Sequence, residues 1–212
     1  MTPAQFDTLL QNTLSESGIS EFSTLQEAVL KRVKSGGDTI FVSPQNPDLQ
    51  TGISLAAILK APQAFEGSPR VLIISPTVDS VHAIRDQIKS WIRRTEIAVE
   101  LAHDKGNMIQ QRNDIFEGAD IIVGNPKRIM ELYNQNGIHV NQLVLLMVHG
   151  TDQILQQPVI AQTISRLAES LPGKCQRILF TSAESSRLDK LSEQVCRQPK
   201  IQVFEVEADP EE

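Results

Sequence analysis

Two runs decide the fold: Arg70-Val71-Leu72-Ile73-Ile74-Ser75 and Asp120-Ile121-Ile122-Val123-Gly124. Each is short and apolar at successive positions, where a strand facing water on one side would alternate. Strands covered on both faces by helices of a parallel sheet read this way. Working outward, further strands are predicted at Thr39–Ser43, Ala98–Leu101, Gln142–Val148, Arg177–Thr181 and Gln202–Val206. Between and before them, helical spacing predicts Pro3–Ser15, Leu25–Ser35, Thr51–Lys60, Ser80–Thr95, Met108–Phe116, Pro126–Asn134, Pro158–Ser170 and Ser186–Cys196. Pro126 suits a first helical turn, and Gly36-Gly37 suits a helix stop. Repeated strand-then-helix units imply an α/β class: one doubly wound parallel sheet of about seven strands with helices on both faces.

The chain has 212 residues, 40% of them hydrophobic, which is enough to bury one substantial core. The expected organisation is a single lobe over residues 1–206 and an acidic tail over 207–212. Glu205–Glu212 holds five carboxylates and one proline and reads as a frayed, solvated end. Cys175 and Cys196 are too few and too distant for a disulfide framework or metal cluster, so a reducing, cytoplasmic setting is the default. Met1–Leu14 lacks a basic and an apolar region, so no signal peptide is expected. No stretch approaches the roughly 20 apolar residues that span a bilayer, and no membrane partner is expected. A net charge of −6 repels phosphate backbones on average, which argues against general nucleic-acid binding but leaves room for a local basic groove.

In doubly wound sheets ligands sit at the carboxyl ends of strands. The informative segments are therefore Ser43–Thr51, Pro76–Val81, Asn125–Arg128, His149–Asp152 and Ser182–Ser185. Taken in that order, and with Asp104-Lys105-Gly106, they resemble the motifs of the first, RecA-like lobe of the DEAD-box RNA helicases, from about Phe6 to about Leu191. Phe6, Gly18-Ile19 and Phe22-Ser23-Thr24-Leu25-Gln26 are similar to the family's Q motif. The resemblance implies that Gln26 would read an adenine edge, beside the upstream aromatic Phe6.

The phosphate loop departs from the family pattern. Where the family has Ala-x-x-Gly-x-Gly-Lys-Thr, this chain has Pro44-Gln45-Asn46-Pro47-Asp48-Leu49-Gln50-Thr51. Pro47 and Leu49 stand at the glycine positions and Gln50 at the lysine position. Proline removes a donor N–H, leucine adds bulk, and Asp48 brings repulsive charge. Thr51 alone keeps its place, that of the magnesium-binding hydroxyl.

The second catalytic motif departs independently. For Asp-Glu-Ala-Asp the chain reads His149-Gly150-Thr151-Asp152. Imidazole is a poor magnesium ligand, and glycine has no side chain with which to orient water. These changes predict a pseudoenzyme without ATP hydrolysis, with ATP and magnesium binding lost or weak, and a degenerate nucleotide site comprising Phe6, Gln26, Gln50, Thr51, His149 and Asp152. No serine nucleophile is placed near His149 by sequence, and His82, His103 and His139 show no ligand spacing. His149 therefore reads as structural or solvated.

The segments that the family uses to grip RNA are better kept. Ser75-Pro76-Thr77 resembles Pro-Thr-Arg-Glu-Leu-Ala, and Asn125-Pro126-Lys127-Arg128 resembles Thr-Pro-Gly-Arg. Thr77, Lys105, Gly106, Lys127 and Arg128 are the nucleic-acid-contacting residues that the resemblance implies. Phe180-Thr181-Ser182-Ala183 resembles the Ser-Ala-Thr motif, which in the family contacts the Asp-Glu-Ala-Asp tetrad. With that tetrad altered, it is expected only to keep the turn compact. A second lobe has no room in 212 residues, so the chain is read as a piece of a longer protein or a stand-alone lobe. Three functions follow as expectations: a weak single-stranded RNA-binding module, a protein-interaction or homodimerisation scaffold, and an adenosine-nucleotide binder without hydrolysis.

Overall fold

A computed structural model describes residues 6–8, 11, 21–44, 48–61 and 68–205. The predicted Gly18-Ile19 element, residues 45–47 of the phosphate loop, most of the first predicted helix and the 207–212 tail lie outside these residues. The chain forms one seven-stranded sheet in the order β3-β4-β2-β5-β6-β1-β7. The strands are β1 Thr39–Val42, β2 Val71–Ile74, β3 Val99–Ala102, β4 Ile121–Gly124, β5 Leu145–Val148, β6 Gln176–Thr181 and β7 Lys200–Val203. All neighbours run parallel.

The unbroken apolar runs are explained by two cores, one on each face. Phe41, Val71, Ile73, Ile121, Val123, Leu145 and Phe180 point to one face, under α1 Thr24–Ser35, α2 Asp48–Lys60 and α3 Val78–Trp91. Ile40, Leu72, Ile74, Ile122, Leu146, Val148 and Leu179 point to the other. That side carries α4 Met108–Gly118, α5 Pro126–Asn134, α6 Thr151–Leu155, α7 Pro158–Glu169 and α8 Ser186–Val195. Burying one such side chain contributes about 1.5–3 kcal/mol. The sheet therefore outweighs the surface ion pairs, each worth about 0–1 kcal/mol.

Helix ends follow local chemistry. Ser23 and Gln26 form a reciprocal capping box on α1, which stops at Gly36 in the left-handed region at φ 80°. Asn125 caps α5, with Pro126 in its first turn. Several boundaries differ from expectation: α3 runs over Val78–Trp91 rather than Ser80–Thr95, and β7 over Lys200–Val203 rather than Gln202–Val206. Helix α2 begins at Asp48 rather than Thr51, with its acidic residue in the first turn, where the helix dipole favours it. Helix α6 was not anticipated, because its five residues are too short to show a period.

At the amino edge of the sheet, Asp38 ties three elements together. Its carboxylate accepts the backbone N–H of Arg177 at 2.8 Å and that of Arg197 at 2.7 Å, and lies 3.9 Å from the Arg177 guanidinium. Asp38 and Arg177 are buried, so the carboxylate is held chiefly by protein donors.

Candidate nucleotide and nucleic-acid face

The candidate residues divide by strand order. Thr77, Lys105, Gly106, Lys127 and Arg128 follow β2, β3 and β4, which are contiguous in the sheet. Gln50, Thr51, His149 and Asp152 follow β1 and β5, and Ser182 follows β6; these three strands are also contiguous. The two groups meet where β2 lies beside β5.

On the nucleotide side, the phosphate-loop segment is helix from Asp48 onward. The Gln50 amide donates to the Ala83 carbonyl at 3.3 Å and to the Gln87 amide oxygen at 3.3 Å. Gln87 in turn donates to the Thr51 hydroxyl at 3.1 Å and accepts from Ser54 at 2.8 Å. Gln50 and Thr51 are thus drawn into a polar seam between α2 and α3. Sequence reading did not single out Gln87. Gln26 is 3% exposed: its amide oxygen accepts the Ser23 N–H, and its NH₂ lies 3.5 Å from the Asp48 carbonyl oxygen. Phe6, 3% exposed, belongs to the core under α1–α3. Both side chains are held internally, so an adenine contact would require them to give up present partners.

The β5 end corrects two expectations. A serine does reach His149: Ser75 Oγ lies 2.9 Å from His149 Nδ1 and 2.6 Å from Ser80 Oγ. Ser75 itself is fully buried, so it is a hydrogen-bond partner and not a nucleophile open to a substrate. Burial pushes the His149 imidazole below the ordinary histidine range, with Asp152 opposing more weakly. Likewise the Ser-Ala-Thr-like segment keeps its partner. Ser182 donates to Asp152 through its hydroxyl at 3.0 Å and its backbone N–H at 3.4 Å. Gly150, at the start of α6, is in the left-handed region at φ 60°, where an added Cβ would lie 2.8 Å from the Pro76 ring.

On the other side, Thr77 is exposed at the N-terminus of α3, where its hydroxyl and Ser80 form a second capping box. Asn125 donates to Asp104 at 2.6 Å, and Lys127 lies 3.6 Å from the same carboxylate. The Asn125 bond, with Lys127 assisting, holds the Asp104 carboxyl below the usual carboxylate range. Arg128 requires revision as a direct phosphate grip. It is 5% exposed; its guanidinium donates to Glu131 at 2.9 Å, to Gln111 at 2.6 Å and to the Gly106 carbonyl at 3.2 Å. It positions the Lys105–Gly106 loop from beneath. Lys105 and Lys127 are exposed. Close strand approach explains Gly124: a Cβ there would collide with the Ala102 carbonyl.

A family model described as DEAD/DEAH box helicase matches residues 23–191. DEAD-box ATP-dependent RNA helicase 3A, chloroplastic, of Zea mays is 24% identical over 194 residues, covering 88% of this chain and 26% of that protein. ATP-dependent rRNA helicase RRP3 of Encephalitozoon cuniculi is 26% identical over 200 residues, covering 92% of this chain and 48% of that one. The chain thus spans half or less of these relatives. A solved structure of an S. cerevisiae dbp5 variant bound to nup159, gle1, ip6 and adp superposes with a TM-score of 0.80 at 15% identity, covering 96% of this chain and 52% of the other.

Proposed function

The chain belongs to the DEAD/DEAH box helicase family as an N-terminal RecA-like lobe, and on that premise we propose that it binds single-stranded RNA without hydrolysing ATP. The observation carrying this reading is the fate of the two catalytic segments. Gln50 and Thr51 are bonded to Gln87, where the family needs a lysine and a magnesium-binding hydroxyl facing the phosphates. Gly150 and His149 replace the two carboxylates, and Gly150 occupies a conformation that disfavours any side chain. Lost stabilisation at each segment is worth roughly 3–4 kcal/mol or more in a transition state, so two independent losses leave little turnover.

RNA binding is supported by the face after β2, β3 and β4. Exposed Thr77, Lys105 and Lys127 stand beside the capped N-termini of α3, α4 and α5, and Arg128 holds the loop that carries Lys105. Helix N-termini and backbone N–H groups suit phosphate oxygens. A half-groove of this kind should bind on the order of tens of micromolar at low salt, weakening as salt rises. A cytoplasmic setting belongs to the same proposal and rests on two cysteines too few for a disulfide framework.

The test pairs two measurements. Fluorescence anisotropy of a labelled single-stranded RNA should saturate, weaken with salt and weaken again in the Lys105→Ala/Lys127→Ala variant. Phosphate release from ATP should stay at background with and without RNA. RNA-stimulated ATP turnover that disappears on Thr51→Ala would contradict the first half of the proposal. Absence of RNA binding at roughly 100 μM protein, the weak limit for nonspecific association, would contradict the second half and direct attention to a protein partner.

A further inference from the structure

Two imidazoles on the RNA-facing side come together although they are distant in sequence. His82, in the first turns of α3, and His103, just after β3, have ring centroids 4.8 Å apart with planes inclined at 59°. Both residues are half-buried, at the rim that also carries Thr77 and Lys105. The His103 Nδ1 atom is shielded from solvent and has no hydrogen-bond partner.

The permanent cations of this rim are largely engaged. Lys127 faces Asp104 at 3.6 Å, Arg85 faces Asp86 at 3.2 Å, and Arg128 is turned inward. Among the described residues, Lys105 is the rim cation without an ion pair, and Asp79 stands nearby on α3. Beside Lys105, a group that can take up a proton would add positive charge to this rim.

We propose that His82 and His103 form a proton-coupled contact for the phosphate backbone of single-stranded RNA, taking up protons from solvent as the strand docks beside Thr77 and Lys105. This inference rests on the RNA-binding reading above and specifies how that site is charged.

Without RNA, His103 favours its neutral state. Burial, then the neighbouring His82 ring and Arg128, push the His103 imidazole below the ordinary histidine range, Asp104 opposes them, and Arg85 on α3 adds to the lowering. Two protonated rings at this spacing repel each other. An adjacent phosphate supplies the missing negative charge, so binding raises both proton affinities. By linkage, RNA affinity then rises as pH falls, and each protonated ring acts as a further counterion-releasing cation.

The test uses the intact chain and an oligouridine carrying a pH-insensitive dye, titrated by anisotropy near neutral pH and about one unit below the ordinary histidine pKa of ~6.5. Affinity should rise on the order of tenfold on acidification, and the salt slope should steepen by up to about 1.4 for two extra phosphate contacts. In the His82→Gln/His103→Gln variant the gain in affinity on acidification and the steeper salt slope should both vanish. A second measurement on the wild-type chain follows its imidazole resonances by NMR. The midpoints of His82 and His103 should move to higher pH when oligouridine is added. RNA binding with unmoved midpoints, or with a pH dependence that survives in the double variant, overturns this inference and leaves the RNA reading intact. No binding at either pH overturns both.

Discussion

The carboxylate of Asp152 accepts both the hydroxyl and the backbone N–H of Ser182, at 3.0 and 3.4 Å, across the ends of β5 and β6. This link joins the segment His149-Gly150-Thr151-Asp152 to Ser182. A double-mutant cycle with Asp152→Ala and Ser182→Ala should show a coupling of about 1 kcal/mol in urea unfolding, the usual worth of a partly exposed, charge-assisted bond. Strict additivity would show that the bond does not hold in solution.

On the proposed reading of a lobe without ATP hydrolysis, the backbone at Gly150 predicts that residue exchange alone gives no turnover. Its φ of 60° and the 2.8 Å approach of Pro76 to an added Cβ make any side chain there costly. Gly150→Ala should lower stability by about 1–3 kcal/mol, read from the urea midpoint. A chain carrying Gln50→Lys, His149→Asp and Gly150→Glu should hydrolyse ATP no faster than background. Turnover in that chain would mean the local backbone reorganises more easily than the Pro76 contact implies.

Nucleotide selectivity follows from Gln26, Gln50 and Thr51 being bonded internally. If adenine enters at all, the triphosphate should add little: ATP should bind less than about tenfold, ~1.4 kcal/mol, more tightly than adenosine. Isothermal titration with both ligands decides this. A larger preference for ATP would show that residues 44–51 still form a phosphate cradle.

Acid should destabilise the lobe through two histidines. Burial lowers the folded-state proton affinity of His149 and His103 relative to the unfolded chain. The unfolded state then binds more protons, so stability falls as pH drops through about 6.5, the unfolded histidine value, toward the lower folded values. Glu100 and Asp120, whose carboxyls burial pushes up, titrate nearer the carboxylate range and act with opposite sign. Urea midpoints should therefore decline between about pH 7 and pH 5. His149→Gln should flatten part of that decline; an unchanged profile would show that His149 is protonated equally in both states.

Strand positions were legible because runs such as Val71–Ile74 and Ile121–Gly124 are apolar on both faces, a pattern that only a sheet covered on two sides requires. Side-chain direction was less legible. Arg128 has the same sequence neighbours whether it faces solvent or the core, and the partners that draw it inward, Gln111 and the Gly106 carbonyl, lie 17 and 22 residues away. Ser75 and His149 are 74 residues apart and Gln50 and Gln87 are 37 apart, and no local period links either pair. The early start of α2 was obscured by aligning residues 44–51 with a loop, whereas Asp48 in a first helical turn was a signal for the helix itself.

Asp38 has a further consequence, for the order of assembly. Its two backbone donors lie 139 and 159 residues later in the chain, and β1, which it precedes, is flanked by β6 and β7. A ribosome emitting the chain from its amino end therefore exposes β1 long before either neighbouring strand exists. The lobe can close only after nearly all of it has been synthesised, the slow, high-contact-order route that leaves strand edges open meanwhile. Trimming the chain back past Arg197 would remove one of this carboxylate's donors together with an edge of the sheet, so a late truncation should destabilise the whole lobe and not merely shorten it.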